Sequence, residues 1–335
     1  MNQNTKTVIV TGVLGFIGSH TAKTFKEAGY NVIGIDREWT MNEGANYVDQ
    51  LLIADFVNIV SVIVSNNNVD AIIHIAGTSL VGPSILNPGE YYNNNSFKTN
   101  SMLEQLSKIN WKGSIVFSSS AAVYGNNDSV SSWNEDYPKD PVSPYGRSKL
   151  MCEHIIEDHC RAHGFKGIAL RYFNASGCDQ NGKLGCVKND THLIPKIIQS
   201  VLENSRFTLN GKDFQTPDGT CIRDYIHVSD IANAHLMAVE FLETLDNHTF
   251  QAYNIGTGAG FSNLEIVKMV EQVIQKDIQI VYGPIRAGDP NQLIANPNLF
   301  INNTKWEPKY SSLKTIVETT YNWMKGLYET SSINS

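Results

Sequence analysis

Several features of membrane, secreted and nucleic-acid-binding proteins are missing from this sequence of 335 residues. No apolar run reaches the roughly 20 residues that a helix needs to cross a bilayer. Lysine and arginine number 26 against 33 aspartates and glutamates, a formal charge of −7. The chain therefore lacks the basic excess that neutralises nucleic-acid phosphates. We expect no membrane or nucleic-acid partner, although a small anionic ligand remains compatible with this charge.

Disulfide and metal-binding patterns are also missing. The cysteines are Cys152, Cys160, Cys178, Cys186 and Cys221, and they contain no Cys-x-x-Cys. An odd number of them favours free thiols in a reducing compartment. The polar stretch from Met1 to Thr7 has no charged-then-apolar leader. These features predict a cytoplasmic protein.

Two histidines have the spacing of helical metal ligands. His159 and His163 lie four residues apart, but no third ligand is evident beside them. We therefore expect no metal, and we expect these two side chains to lie on a solvated helix face.

A glycine-rich turn follows the first predicted strand. Residues 7–11 are a β-branched run, and Gly12, Gly15 and Gly18 follow in a G-x-x-G-x-x-G pattern before a helical stretch. Glycines at such positions allow a tight turn, close approach of a pyrophosphate, and packing of helix on strand. An ordinary β–α turn is the alternative. The position directly after the first strand favours a dinucleotide-binding turn.

An acid ends the second predicted strand, over residues 31–36. Asp36 stands 18 residues after Gly18, where a carboxylate accepts hydrogen bonds from the adenosine ribose and repels a 2′-phosphate. This favours NAD over NADP. Arg37 follows directly, and it could stack on adenine, bind a 2′-phosphate, or lie exposed in a turn.

Apolar segments alternate with helical patterns through the first half of the chain. The predicted strands cover residues 7–11, 31–36, 51–55, 70–77, 113–118 and 167–173. This alternation predicts an α/β fold with a doubly wound parallel sheet of the Rossmann type. After Asn174 the periodicity becomes irregular. We therefore predict an NAD-binding domain over residues 1–175 and a smaller α/β substrate domain over 176–335, with parts of 223–256 packing back on the first.

Two polar residues at these strands have open roles. Asp55 could cap the following helix or contact the adenine edge. His74 lies within the fourth strand, where a histidine with satisfied hydrogen bonds in the core is more common than a catalyst. A long helix is predicted over residues 90–110.

A hydroxyl, a phenol and an ammonium form the strongest catalytic pattern. The fifth strand ends in serines up to Ser120, and Ser143 and Pro144 predict the start of a helix that carries Tyr145 and Lys149. Residues at i and i+4 share a helix face. Lys149 can therefore lie beside the Tyr145 phenol and favour its ionised form, since a free tyrosine with a pKa near ~10 is a poor base at neutral pH.

The combination resembles the extended short-chain dehydrogenase/reductase family, and within it the UDP-hexose 4-epimerases. The similar segments are residues 11–21, 88–94, 117–121, 143–146, 148–150, 170–174, 217–220 and 223–228. The resemblance covers nearly the whole chain and implies a homodimer formed through the helices that contain Glu90 and Tyr145.

The resemblance also implies a reaction without net redox. Tyr145 takes a proton from the C4 hydroxyl of UDP-glucose or UDP-galactose while hydride moves to NAD, and Ser120 bonds the same oxygen. The 4-keto sugar turns over and accepts the hydride on its other face.

Site residues follow from the same resemblance. For the cofactor they are Gly12, Gly15, Phe16, Ile17, Gly18, Asp36, Arg37, Asp55, Phe56, Ile75, Ala76, Gly77, Asn94, Ser118, Tyr145, Lys149 and Tyr172. For the substrate they are Ser120, Asn174, His192, Leu193, Thr208, Asn210, Arg223, Arg286, Asp289 and Leu293. The two arginines are expected on the diphosphate and Asp289 on a ribose hydroxyl. A surface ion pair is the alternative for Arg223 and Asp224.

The chain departs from the family pattern at several positions, including Asp36-Arg37-Glu38, where an Asp-Asn-Leu/Phe stretch is expected, and the loop to Asp55, which is shorter than usual. Ser79 stands where a cofactor-binding lysine is common, and Asn210 where a ring commonly packs on uracil. His192 replaces an asparagine. Leu293 is intermediate in size at the position beside the sugar C2, which leaves UDP-N-acetylhexosamines open as substrates.

Three other functions are alternatives. Dehydratase and decarboxylase relatives carry an acid soon after the serine, where this chain has Ala121 and Ala122. A net NAD(P)H-dependent ketoreductase would consume added cofactor. A cofactor-sensing protein that has lost catalysis would bind NAD without turnover.

Overall fold

The computed structural model describes residues 5–40, 43–127, 130–186, 192–285 and 289–333. Within these ranges the strands are β1 Thr7–Thr11, β2 Asn31–Asp36, β3 Gln50–Ile53, β4 Ala71–His74, β5 Ser114–Ser120, β6 Lys166–Tyr172, β7 Asn174–Ser176, β8 Phe207–Asn210, β9 Ile222–Arg223, β10 Tyr225–His227, β11 Phe250–Ile255, β12 Phe261–Ser262, β13 Ile280–Gly283 and β14 Gln292–Leu293.

The helices alternate with these strands. They are α1 Phe16–Glu27, α2 Phe56–Asn66, α3 Val81–Leu86, α4 Pro88–Tyr91, α5 Lys98–Lys108, α6 Pro144–His163, α7 Leu193–Leu202, α8 Val228–Glu243, α9 Asn263–Ile274, α10 Asn298–Thr304 and α11 Leu313–Ile333. Short 3₁₀ segments cover Glu43–Tyr47 and Ala121–Val123.

The main sheet is parallel and has the strand order β11-β6-β5-β4-β1-β2-β3. The six predicted strands are confirmed as β1 to β6, with ends that shift by up to three residues. Their continuous apolar runs suit strands that are covered on both faces. A seventh strand, β11, pairs with β6 and extends the sheet.

Helices cover both faces of this sheet. On one face α1 packs against α8, over a core that includes Val8, Leu170 and Ile231. On the other face α2, α5 and α6 pack side by side over Ile9 and Phe117. The doubly wound parallel arrangement predicted from the sequence is therefore confirmed.

A second core lies under the remaining helices. Helices α7, α9 and α11 contact one another around Ile197, Val267 and Ile316, and the strands β8 and β13 form a parallel pair beside them. The two regions are not separated cleanly along the chain. Both β11 and α8 follow residue 175, yet β11 joins the main sheet and α8 packs on α1. The division of the chain at residue 175 stays a prediction.

The predicted continuous helix over residues 90–110 is wrong in one respect. The chain forms the short helix α4, then a π-helical segment over Tyr92–Phe97, and then α5. In a π segment the backbone bonds run from i to i+5, which widens the helix, and such segments are frequent at functional sites. This one carries Asn94 and Asn95.

The described helices include none that is both long and apolar enough to span a membrane. In the same part of the chain, no group of three or more histidine, cysteine, aspartate or glutamate side chains could hold a metal ion. The predicted solvated position of His159 is wrong, because this side chain is buried, bonds Asn100 and stacks on Phe165.

Candidate active site

The residues of the glycine turn, Asp36, residues 75–77 and Ser120 gather at the carboxyl edge of the main sheet. The strands β1, β2, β4 and β5 all end there because they are parallel. The glycine turn follows β1, Asp36 ends β2, residues 75–77 follow β4, and Ser120 ends β5. In open α/β sheets this edge is where ligands bind.

The glycine turn is fixed by close backbone contacts. Gly12 has a φ of 72°, and a Cβ there would lie 2.9 Å from the amide nitrogen of Ala76. A Cβ on Gly18 would lie 2.0 Å from the Gly12 carbonyl oxygen. Both positions therefore require glycine, one for the turn and one for packing α1 against it.

The N-terminus of α1 is open to an anion. Its N-cap is Gly15, so no side chain caps the first-turn amides of Phe16 and Ile17. Uncapped amides at a helix N-terminus bind phosphate groups well. The predicted pyrophosphate position therefore fits this turn.

Asp36 is tied to the same turn. Its Oδ2 accepts a hydrogen bond from the Leu14 amide at 2.9 Å, and its Oδ1 accepts one from the Arg37 amide. The Arg37 side chain is exposed, and its Nε lies 3.5 Å from Glu38 Oε1. The structure places Arg37 in an exposed turn beside the acidic Glu38, which is the third of the roles considered for it.

Asp55 and Phe56 lie at the start of α2. The Asp55 carboxylate caps this helix by accepting a hydrogen bond from the Val57 amide, and it also accepts one from Lys98 at 2.6 Å. The capping alternative is therefore confirmed. Phe56 is buried against the ring of His74, with 4.8 Å between the ring centres.

His74 is a fully buried histidine with both ring nitrogens bonded. Its partners are Thr11 Oγ1 and Thr99 Oγ1, each at 2.9 Å. Burial lowers the pKa of His74 to about 3, with the Lys149 ammonium acting in the same direction. The sequence-based expectation of a satisfied core histidine is confirmed.

Two asparagines of the π segment hold the loop after β4. Asn94 donates to Thr78 Oγ1 at 3.1 Å. Asn95 is buried, accepts from the Thr78 amide at 2.8 Å, and donates to Ser148 Oγ on α6 at 2.9 Å. A Cβ on Gly77 would lie 2.8 Å from Asn95 Oδ1. Asn95 is not among the predicted site residues.

The serine and the phenol of the predicted site meet. Ser120 begins the 3₁₀ turn after β5, and its Oγ accepts from the Ala122 amide at 3.2 Å. Ser143 caps α6 as predicted, by accepting from the Gly146 amide at 3.1 Å, which fixes the first turn that carries Tyr145. Burial raises the pKa of Tyr145, while a hydrogen bond with Ser120 lowers it.

Lys149 lies one turn further along α6, on the same side as Tyr145. Its Nζ is 6.0 Å from the centre of the Tyr145 ring and donates to the Ser118 carbonyl oxygen at 2.7 Å. Burial lowers the pKa of Lys149 to about 8. The expected lowering of the phenol pKa is therefore wrong for the protein alone, because desolvation is the largest effect on Tyr145 and raises it.

Tyr172 lies at the end of β6, next to this group. Its hydroxyl bonds His235 Nε2 on α8 at 2.5 Å. The His235 Nδ1 bonds the Ile231 carbonyl, so Nδ1 carries the proton and Nε2 accepts from the phenol. Tyr172 is thus held by the core beneath the catalytic strand.

A cavity joins the cofactor turn to the predicted substrate residues. Its lining includes Phe16 from the glycine turn together with Asn174, His192 and Leu193. His192 is the N-cap of α7 and Leu193 is its first residue. The N-terminus of α7 therefore lies on the same cavity as the N-terminus of α1.

Arg223 and Leu293 are neighbours on the paired strands β9 and β14. Arg223 is 8% exposed, and its Nη2 lies 3.6 Å from Asp289 Oδ1. The buried Asp224 accepts from the amides of Thr257, Gly258 and Ala295. A surface ion pair between Arg223 and Asp224 is therefore wrong, because both side chains are buried and have these other partners.

Thr208 and Asn210 stand on β8, in a different small sheet from Arg223 and Leu293. Thr208 is exposed and Asn210 is partly buried beside Gly283. Ser79, at the position of the expected lysine, is exposed. Arg286 lies outside the described residues.

Comparisons with known proteins agree with this geometry. Residues 8–256 match the NAD dependent epimerase/dehydratase family. The chain is 40% identical over 330 residues to a UDP-glucose 4-epimerase of Halalkalibacterium halodurans, covering 95% of both chains. The crystal structure of UDP-glucose 4-epimerase from Brucella ovis in complex with NAD is 37% identical and superposes with a TM-score of 0.89, over 94% of this chain and 97% of that one.

A second solved structure contains both a cofactor and a nucleotide. It is the UDP-glucose 4-epimerase from Bifidobacterium longum in complex with NAD+ and UDP, which is 32% identical. The TM-score is 0.87, over 96% of this chain and 98% of that one.

Proposed function

The chain belongs to the NAD dependent epimerase/dehydratase family, and we propose that it interconverts UDP-glucose and UDP-galactose by reversible oxidation at C4. The observation that carries this proposal is the group formed by the half-buried Ser120 and the buried Tyr145 and Lys149 at the carboxyl edge of the sheet. The similar proteins named UDP-glucose 4-epimerase support the substrate and favour plain over N-acetylated hexoses.

The residues of the glycine turn fit an NAD molecule. The uncapped amides of Phe16 and Ile17 would bind its pyrophosphate, and Asp36 would accept from the adenosine ribose. Gly77 follows β4 beside Asn95 and Lys149, and it lacks the Cβ that would lie 2.8 Å from Asn95 Oδ1. When bound, NAD supplies a hydride acceptor that returns the hydride to the other face of C4.

Tyr145 is the proton acceptor from the C4 hydroxyl. Burial alone disfavours its ionised form, so the phenolate needs positive charge beside it. The Lys149 ammonium, 6.0 Å from the ring, supplies one such charge. Ser120 lies close enough to the phenol to lower the pKa of Tyr145, and it would bond the sugar oxygen and hold it in reach of this side chain.

The nucleotide end of the substrate is held away from these groups. Arg223 would bind the diphosphate and Asp289 a ribose hydroxyl, and Asn174 and the N-terminus of α7 line the cavity beside the glycine turn. An anchor through UDP alone leaves the hexose free to turn over between the two hydride transfers. Leu293 packs against the Ala121 and Phe173 cluster, which limits the space beside the sugar.

Elimination chemistry is disfavoured by the turn after Ser120. Ala121 is buried and neither Ala121 nor Ala122 carries an acid. A dehydratase needs an acid there to protonate the leaving hydroxyl.

We propose that the protein is a homodimer. Exposed apolar side chains occupy neighbouring helical segments: Phe97 is 65% exposed and Met151 46%, with Val81 and Ile85 exposed on α3. The π segment and α3 both pack on α6, so these side chains lie on adjoining elements. A contiguous apolar surface of this kind is typical of a protein interface.

We also propose a cytoplasmic location. The buried thiols Cys152, Cys160 and Cys221 support a reducing compartment, because disulfides form mainly in oxidising ones.

Purified protein incubated with UDP-galactose, without added cofactor, should form UDP-glucose. Chromatography of the nucleotide sugars measures this, and UDP-N-acetylglucosamine and UDP-N-acetylgalactosamine serve as the parallel substrates. Absence of interconversion of UDP-glucose and UDP-galactose would show that the proposal is wrong. Consumption of stoichiometric NADPH would instead indicate a ketoreductase.

A further inference from the structure

A buried ion pair lies directly behind the catalytic group. Arg171 on β6 donates from Nε to Glu153 Oε1 at 3.0 Å and from Nη2 to Glu153 Oε2 at 2.7 Å. Both side chains are at most 5% exposed. Glu153 is one helical turn beyond Lys149 on α6, and Arg171 precedes Tyr172 on β6.

The pair also binds the catalytic strand. Ser119 Oγ donates to Glu153 Oε1 at 2.5 Å. Ser119 stands between Ser118, whose carbonyl accepts from Lys149, and Ser120. Two successive residues of β5 are thus bonded to two successive turns of α6, directly before Ser120.

The segment after Ser120 is held by the same arginine. Arg171 Nη1 donates to the Tyr124 hydroxyl at 2.9 Å, and that hydroxyl donates to Asn254 Oδ1 on β11 at 2.9 Å. Tyr124 directly follows the 3₁₀ turn that begins at Ser120. The backbone around Ser120 is therefore fixed from both sides by one buried network.

We propose that Glu153 and Arg171 are positioning residues that set where Ser120 lies relative to Tyr145 and Lys149. Stability alone does not explain the pair, because apolar side chains of similar volume commonly stabilise a core as well as a buried ion pair does. Geometry does explain it, since a misplacement of about 1 Å in a catalytic group can cost roughly 10²-fold in rate. The inference rests on the proposed function.

Ser119→Ala gives the cleanest test because it leaves the ion pair intact. It removes only the bond between the pair and the strand. We expect kcat for UDP-galactose to fall roughly 10- to 100-fold, with KM and bound NAD unchanged and only the small fall in Tm that the loss of one buried hydrogen bond causes. Ser114→Ala is the matched control, since Ser114 is a buried serine at the opposite end of the same strand, and it should keep the wild-type kcat.

The double variant Glu153→Met/Arg171→Met tests the pair itself. It replaces both charges with apolar side chains of similar length, so the protein should fold, but kcat should fall by at least the same factor as in Ser119→Ala. A wild-type kcat in either variant overturns the inference. A fall in kcat that is fully accounted for by a lower Tm or by loss of bound NAD also overturns it. The wild type is assayed alongside: if it fails to interconvert the sugars, the proposed function is wrong and this inference falls with it.

Discussion

Lys149 and Tyr145 share one buried face of α6, with the lysine Nζ 6.0 Å from the centre of the tyrosine ring. Burial lowers the pKa of the lysine to about 8 and raises the pKa of the tyrosine. Desolvation thus disfavours the charged form of each side chain taken singly, whereas opposite charges side by side favour each other. Under the proposed function, the Lys149 ammonium offsets part of the cost of ionising the buried phenol when the sugar hydroxyl is in place.

Removing the phenol oxygen should stop proton transfer. In Tyr145→Phe we expect kcat to fall by roughly 10²- to 10⁴-fold, the usual contribution of a positioned base. NAD content and Tm should stay close to those of the wild type, because the ring remains packed against Tyr91. Steady-state assays with UDP-galactose measure the effect. A variant with full activity would assign the base to another residue.

Removing the Arg223 charge should weaken substrate binding more than turnover. A charge-assisted hydrogen bond contributes about 1.5–3 kcal/mol, so Arg223→Gln should raise KM for UDP-galactose by roughly 10- to 100-fold. Arg206→Gln is the control, because Arg206 is an exposed arginine of the same half of the chain. An unchanged KM would show that Arg223 does not bind the diphosphate.

Stability should fall in acid because burial lowers the pKa of several histidines. Burial lowers the pKa to about 3 for His74 and His227, and to about 4 for His20 and His235, from an ordinary 6.5. Between pH 6.5 and about 4 the unfolded chain binds more protons at these sites than the folded one, so stability is lost as pH falls. Each contributes a slope of about 1.4 kcal/mol per pH unit.

Urea unfolding at pH 7, 6 and 5 measures this slope. His154→Gln, which changes an exposed histidine on α6, should leave it unaltered. A free energy of unfolding that is the same at all three pH values would contradict the prediction.

Placing a charge on the exposed apolar surface should separate the proposed dimer. Phe97→Glu puts a carboxylate where a 65% exposed phenyl ring stands, and burying it in an interface without a partner is costly. We expect a monomer by light scattering during gel filtration. Leu299→Glu, at an exposed leucine of α10, is the matched control and should stay dimeric. A wild type that is monomeric at micromolar concentration rules the dimer out.

Much of the fold follows from local sequence. The strands β1 to β6 are short runs, mostly apolar and, apart from the edge strand β3, mostly buried, and the start of α6 follows from Ser143 and Pro144. These signals are local because one segment contains the strand or the cap together with its boundary.

The parts that could not be predicted depend on distant residues. The π segment looks like a helix in sequence, because only a shifted hydrogen-bond partner distinguishes the two. The Glu153–Arg171 pair joins residues 18 positions apart on different elements, and β11 reaches β6 across nearly 80 residues. Such pairings become visible only when the elements are packed.

The retained hydride is the central claim, and one isotope experiment tests it most directly. UDP-galactose carrying deuterium at C4 is incubated with the protein in ordinary water, and the UDP-glucose product is analysed by mass spectrometry and proton NMR. Because the hydride leaves C4 and returns within the same site, we predict UDP-glucose with the deuterium still at C4. Product that carries solvent hydrogen at C4 would contradict the account.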